Sequence, residues 1–254
     1  MKVRVLGCGT SSGVPRVGDD WGDCDRAEPR NRRRRVSILV SHGDARILVD
    51  TSPDLREQLL DARVKDIEAV VWTHDHADHC HGIDDLRQLY HARRRPVTGY
   101  ARADMLASLQ RRFDYIFEGQ YGYPSIVSGN VLPDHINLAG ISMRAVDQPH
   151  GPITSAGLRF DAGGHAIGYS TDFNNVTDEM ALLFTGLDVW IVDALRREPH
   201  PTHTHLADTL KWIRELRPRR AILTHMDSSM DYRGLLAELP EGVEPGFDGM
   251  EIEL

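Results

Sequence analysis

The sequence predicts an α/β protein. Short β-branched and aliphatic runs alternate with helical stretches along the chain, several runs are almost continuously apolar, as strands covered on both faces are, and Gly, Pro, Asp and Ser punctuate them. The 254 residues are 41% hydrophobic and 27% charged, which suits a packed globular chain rather than a disordered one. The length predicts a single domain over residues 1–254.

Taken in order, residues 3–6, 36–40 and 46–50 read as strands at the front of a sheet. Ser52, Pro53 and Asp54 match an N-cap, a first helical position and a first-turn acid, opening a helix through Leu55, Leu59 and Leu60. Residues 69–73, 141–146, 165–171, 189–194 and 221–224 follow as strands, and residues 83–92, 103–113, 176–184, 206–216 and 233–238 as helices. Residues 118–133, rich in Gly, Tyr, Pro and Ser, are expected to form the longest loop, a candidate lid or substrate wall.

A net charge of −8 works against a broad nucleic-acid surface, which leans on clustered Lys and Arg. Residues 1–10 lack the apolar core of a signal peptide, and no apolar run approaches the ~20 residues of a membrane span. Cys8, Cys24 and Cys80 are isolated, so free thiols are expected. A cytoplasmic protein that binds neither nucleic acid nor membrane is the expectation.

Against this background stands His74-Asp75-His76-Ala77-Asp78-His79-Cys80-His81-Gly82, directly after a buried strand. Neutral imidazole and carboxylate suit zinc, iron or manganese, and a tight turn can aim His74 and His76 at one ion while Asp78 and His79 face a second. Val70 to Asp75 is echoed by Ala221 to Asp227, so His74 and His225 each follow an apolar strand. In α/β sheets ligands bind at the carboxyl ends of strands, and two such strands can bring their His residues to one site.

The pattern His-x-His-x-Asp-His-x-x-Gly is the signature of the metallo-β-lactamase superfamily, and every fixed position is filled. Within it the chain resembles the phosphoribosyl cyclic phosphodiesterase (PhnP) group of phosphonate degradation. Residues 7–15, residues 81–87 and residues 246–252 carry that likeness, which spans essentially the whole chain. The resemblance implies a four-layer αββα sandwich and three further ligands, His150, Asp172 and His225. It places His74, His76 and His150 on one metal and Asp78, His79 and His225 on the other, with Asp172 bridging. Two divalent ions, zinc or manganese, are then expected to activate a shared water against a small phosphate ester, favoured by likeness as phosphoribosyl 1,2-cyclic phosphate. A homodimer is consistent with the family.

The leaving alkoxide needs a proton, and residues 199–205 offer His200, His203 and His205 just before a helix. The resemblance places the general acid in this stretch. His203 is preferred, His205 also aligns, and His200, between two prolines, reads as a solvated loop residue. Some members of the group hold a structural third zinc through a Cys-rich segment after Trp-Gly together with a later His. Here Cys24 stands alone after Trp21-Gly22, and Ser228 occupies the place of the His, so no third zinc is expected. Arg30 and residues 32–35 form a basic run, read first as a solvated face and second as a phosphate clamp.

Other readings lie within the same fold: a thioester, lactam or lactone hydrolase, a di-iron redox protein, or a nuclease acting on transfer RNA. A fourth is a non-catalytic metal-binding carrier. The filled ligand set argues against the carrier and the acidic charge against the nuclease.

Overall fold

A computed structural model describes residues 1–254. Fourteen strands form two seven-stranded mixed sheets. The first sheet contains β1 (Lys2–Gly7), β2 (Ser37–His42), β3 (Ala45–Val49), β4 (Ala69–Val71), β5 (Val97–Ala101), β6 (Val127–Val131) and β14 (Glu251–Glu253), in the order β14-β1-β2-β3-β4-β5-β6. The second contains β7 (His135–Leu138), β8 (Ile141–His150), β9 (Ile153–Ala162), β10 (His165–Ser170), β11 (Val189–Asp193), β12 (Arg220–Thr224) and β13 (Val243–Pro245), in the order β13-β12-β11-β10-β9-β8-β7. Each sheet is antiparallel on one side, through β14-β1-β2-β3 and β7-β8-β9-β10, and parallel on the other.

Parallel neighbours require crossovers, and helices supply them. Those of the first sheet are α1 (Leu55–Asp61), α2 (Ala77–Cys80), α3 (Leu86–Arg93), α4 (Ala103–Arg112) and α5 (Asp114–Phe117). Those of the second are α6 (Asp178–Phe184), α7 (Leu206–Leu216) and α8 (Tyr232–Glu238). The main core joins the inner faces, with Val5, Ile38 and Ile47 of the first sheet clustered with Leu158, Ile167 and Ile191 of the second. A smaller core packs Leu48, Val70 and Trp72 under α1, α3 and α4 through Leu55, Leu86 and Leu109. The result is the αββα sandwich.

Three expectations need correction. Helix α1 starts at Leu55 with Asp54 at its N-cap, not at Ser52, whose hydroxyl and carbonyl instead close a turn by accepting from Asp54 N and Leu55 N at 3.2 and 2.9 Å. The Asp54 carboxylate, held by the backbone N and guanidinium of Arg35 at 2.8 and 3.0 Å, makes no cap bond. The stretch at residues 83–92 begins as a 3₁₀ turn, Ile83–Asp85, before α3. The long loop is shorter than expected, since β6 lies inside residues 118–133. Its Gly and Asn hide the strand pattern, but Gly129 is packed so closely that a Cβ would come within 2.9 Å of Leu106. No helix is long and apolar enough to cross a membrane.

Candidate metal centre

The strands deliver their polar residues to one edge of the sandwich. Asp50 follows β3, His74 lies three residues beyond β4, His150 ends β8, Asp172 lies two beyond β10, Asp193 ends β11 and His225 follows β12. Ala156 N donates to Thr73 O at 2.9 Å, joining the two sheets beside this edge. Asp50, Asp172 and His225 all have positive φ, 63°, 55° and 58°. Non-Gly residues held in this region signal a backbone constrained by its surroundings, commonly at functional sites.

Asp172 is the centre of the arrangement. Its Oδ1 lies 3.7 Å from the Nε2 atoms of His74, His150 and His203. Its Oδ2 lies 3.1 Å from His79 Nε2 and 3.5 Å from His225 Nε2. One carboxylate therefore faces two nests of donors. His74, His76, His150 and Asp172 bring ligand atoms within 4.8 Å of one another, as do Asp78, His79 and His225. Asp78 Oδ2 is 3.3 Å from both His79 Nε2 and His225 Nε2. His76 is exposed and the other six are buried, so the first nest opens to solvent on the His76 side.

Second contacts set the rings. His79 Nδ1 lies 2.7 Å from Asp50 Oδ2, His74 Nδ1 3.1 Å from Thr73 Oγ1, and His150 Nδ1 2.8 Å from Thr202 O. Asp50 in turn accepts from Thr73 N at 2.8 Å. This leaves each Nε2 pointing inward, the arrangement by which outer carboxylates and carbonyls orient metal-binding imidazoles. The buried Nε2 atoms of His74 and His79 have no hydrogen-bond partner. Buried polar groups without partners are rare in folded proteins, and here they mark donors that a cation would satisfy.

The electrostatics agree. Burial alone would raise the Asp172 carboxyl, but His225, His79 and His74 outweigh it and hold the group well below the carboxylate range. Asp78 is likewise held low against its own burial, chiefly by His79 and His225. Burial lowers His225, yet Asp172 and Asp78 bring it up to about 9, whereas His74, buried among imidazoles, is pushed well down. Negative charge is thus preformed at the centre; burial favours neutral imidazole, the form that binds metal, at His74 and His150, whereas the neighbouring carboxylates raise His79 and His225.

Among the proton-donor candidates, His203 reaches the centre. Its ring stacks on His225 with centroids 4.9 Å apart and meets His150 at 4.7 Å, and its Nδ1 lies 3.0 Å from Asp193 Oδ2. His205 does not join it: at the N-cap of α7, its Nδ1 faces Asp208 at 3.2 Å, one turn along its own helix. His200 is less solvated than expected, packing on His203 at 5.1 Å. His81 stays outside the cluster beside Arg112 at 2.7 Å. The glycine ending the signature has a packing reason, since a Cβ on Gly82 would sit 1.9 Å from Ser52 O.

Asp50 and Asp193 escaped the reading of the sequence. Both end strands that were expected, and an acid closing an apolar strand was the available signal. The region of Cys24 holds a different kind of cation. Arg33, 2% exposed, places Nη1 3.7 Å from Cys24 Sγ and donates to the carbonyls of Asp227 and Met230 at 3.2 and 2.5 Å.

Residues 45–226 match the family model described as the β-lactamase superfamily domain. The chain belongs to the metallo-β-lactamase superfamily. Within that superfamily it is 33% identical to a solved diphosphatase of the PhnP family, covering all of this chain and 97% of that one with a TM-score of 0.91. Zinc-bound PqqB from Methylobacterium extorquens shares the metallo-β-lactamase fold at 20% identity, full coverage of both chains and a TM-score of 0.82. The chain is also 30% identical to an octanoyltransferase of Porphyromonas gingivalis over 99% of its own length, and spans about half, 51%, of that protein.

Proposed function

We propose that this chain is a dinuclear-metal phosphodiesterase that opens a small cyclic phosphate, phosphoribosyl 1,2-cyclic phosphate being the favoured member of that class. The observation that carries the reading is Asp172, whose two oxygens face two separate donor nests while His203 stacks beside them. His74, His76 and His150 would hold one ion, Asp78, His79 and His225 the other, and Asp172 would be shared. The orphaned Nε2 atoms of His74 and His79 fit this assignment, and the nitrogen and oxygen donors suit zinc or manganese. Bound together, two divalent ions supply Lewis acidity, lowering the pKa of a water and balancing charge on phosphoryl oxygens.

The chain's own residues do the rest. Asp193 Oδ2 accepts from Asp172 N at 3.0 Å and sits 3.0 Å from His203 Nδ1, so this oxygen positions the His203 ring. Held in that way, His203 keeps its proton on Nδ1 when neutral and turns Nε2 toward the centre. As imidazolium, it donates the Nε2 proton to the departing alkoxide, and Asp193 balances the charge. The likeness to a PhnP-family diphosphatase supports a phosphorus electrophile. The likeness to an octanoyltransferase favours a second reading, an acyl substrate such as a thioester. A thiolate leaves without a proton, so that reading gives His203 no task.

Chelator-stripped protein, reloaded with zinc or manganese, should be assayed on bis(p-nitrophenyl) phosphate, a ribose cyclic phosphate, a diphosphate, a phosphomonoester and a thioester. Metal-dependent turnover of the diester and the cyclic phosphate is the expected outcome, with His203→Ala abolishing turnover of the cyclic phosphate, whose leaving group is an alkoxide, and largely sparing that of bis(p-nitrophenyl) phosphate. Turnover of the thioester alone would transfer the site to acyl chemistry, and no metal-dependent turnover would favour a carrier.

A further inference from the structure

We infer that a cavity of about 840 Å³ on the flank of the first sheet is a second anion site, built for a small phosphate-bearing molecule and separate from the metal centre. Its walls are the segment 29–35, the start of α1, the turn at 12–15 and residues 247–249. None of the seven candidate metal ligands, nor His203, lines it. Six arginines, Arg4, Arg30, Arg32, Arg33, Arg34 and Arg35, face four acids, Asp54, Glu57, Asp61 and Asp248, which leaves the cavity cationic in a chain of net charge −8. A concave surface of one sign focuses its field and concentrates counter-ions.

The partners of these arginines show where an anion would bind. Arg34 pairs with Asp61 at 2.6 Å, Arg35 with Asp54 at 3.0 Å and Arg4 with Glu251 at 2.8 Å, while Glu57 is taken by the neighbouring Arg56. Arg33 turns inward to the carbonyls of Asp227 and Met230. Because the segment is extended, with bridges from Val14 to Arg33 and from Gly9 to Arg35, anchoring Arg33 inward throws Arg32 and Arg34 to the opposite side. Arg30 and Arg32 remain exposed with no carboxylate partner. Arg30 is nevertheless held in place, its guanidinium 4.9 Å from the Tyr232 ring centroid and 5.3 Å from that of Phe247. A cation already stacked on aromatic rings loses little freedom on binding, and the planar guanidinium matches phosphate oxygens in pairs.

Binding of inorganic phosphate and of adenosine 5′-monophosphate to the metal-loaded protein, followed by ³¹P NMR at constant ionic strength, tests the site. Wild type is compared with an Arg30→Gln/Arg32→Gln variant and with Asp172→Asn. Phosphate binding that survives in Asp172→Asn, and weakens about tenfold or more in the arginine variant, is expected, since charge-assisted hydrogen bonds carry the affinity. Hydrolysis of bis(p-nitrophenyl) phosphate, where present, should stay within about twofold in the arginine variant because neither arginine touches the centre. Tighter binding of the nucleotide than of phosphate would identify a nucleotide as the occupant, and equal binding free phosphate. Unchanged binding in the arginine variant, or loss of all binding in Asp172→Asn, would overturn the inference. Neither readout depends on whether the metal centre cleaves phosphodiesters.

Discussion

Asp50 Oδ2 lies 2.7 Å from His79 Nδ1, and both side chains are completely buried. Asp50 also accepts from Thr73, so one carboxylate ties the end of β3 to the loop that carries the histidine signature. Outer carboxylates of this kind orient the ring and raise its basicity. Asp50→Asn should keep the fold but weaken metal binding at the nest of His79 by roughly 10–100-fold. Metal titration against a competing chelator reads this directly, and two ions held at unchanged affinity would reduce the pair to a purely structural contact.

Asp172 serves both nests at once, so its loss should not resemble the loss of an ordinary ligand. For Asp172→Asn we expect metal content below two per chain and a loss of about 4 kcal/mol of barrier lowering, roughly 10³-fold in rate. A variant that retained both ions and near-normal turnover would contradict a bridging role.

His203 and His205 separate cleanly. His203→Ala should cost about 10²–10⁴-fold in kcat with an alkoxide leaving group and much less with p-nitrophenolate, which leaves without help. His205→Ala, which removes only a contact with Asp208 on α7, should stay within about threefold. Equal losses in the two variants would argue that the helix start, not a proton donor, is being disturbed.

Arg33 cross-links the segment around Cys24 to residues 227–230 with a fully buried guanidinium. Arg33→Met strands the carbonyls of Asp227 and Met230, and should destabilise by about 3 kcal/mol. Thermal melting should fall by roughly 6–12 °C. Unchanged melting would mean that these carbonyls find other partners.

Asp248 couples the C-terminal segment to the front of the chain through Cys8 N and Arg34 N, at 3.2 and 2.7 Å. Burial raises its carboxyl to about 6 despite these donors. Because the folded pKa exceeds the unfolded one, this contribution to stability is full at low pH and is lost as pH rises through about 6. Asp248→Asn does not titrate, so wild type should lose ground to it between about pH 4 and 7, by up to ~3 kcal/mol or roughly 6–12 °C. Melting curves of the two proteins across that range check it, and a difference that holds constant or reverses would show the ionised form to be the favoured one.

The part of the site that the sequence made legible is local. His74, His76, Asp78 and His79 lie within six residues at the end of one apolar strand, so a single turn and the short helix α2 place them, whatever the rest of the chain does. His150, Asp172 and His225 became legible only beside that signature, each as a lone polar residue closing a strand. The α/β class followed from alternating periodicity and the αββα sandwich from the resemblance, and β4, β8, β10, β11 and β12 lie near the expected places. β6 did not, because Ser128, Gly129 and Asn130 interrupt its apolar pattern, and its parallel pairing with β5 is a long-range contact that local sequence does not show.

What the sequence determined by itself, then, was the clustered His and Asp signature at residues 74–79 and its place after an apolar strand, because donor chemistry and turn spacing are properties of neighbouring residues. Tertiary structure alone decided that Asp172 faces two nests, that His203 rather than His205 enters the site, that Asp50 and Asp193 position the rings, and that Arg33 turns inward while Arg30 and Arg32 remain free. These depend on the distance and direction between strands far apart in sequence, and side-chain direction is set by packing after the sheets have met.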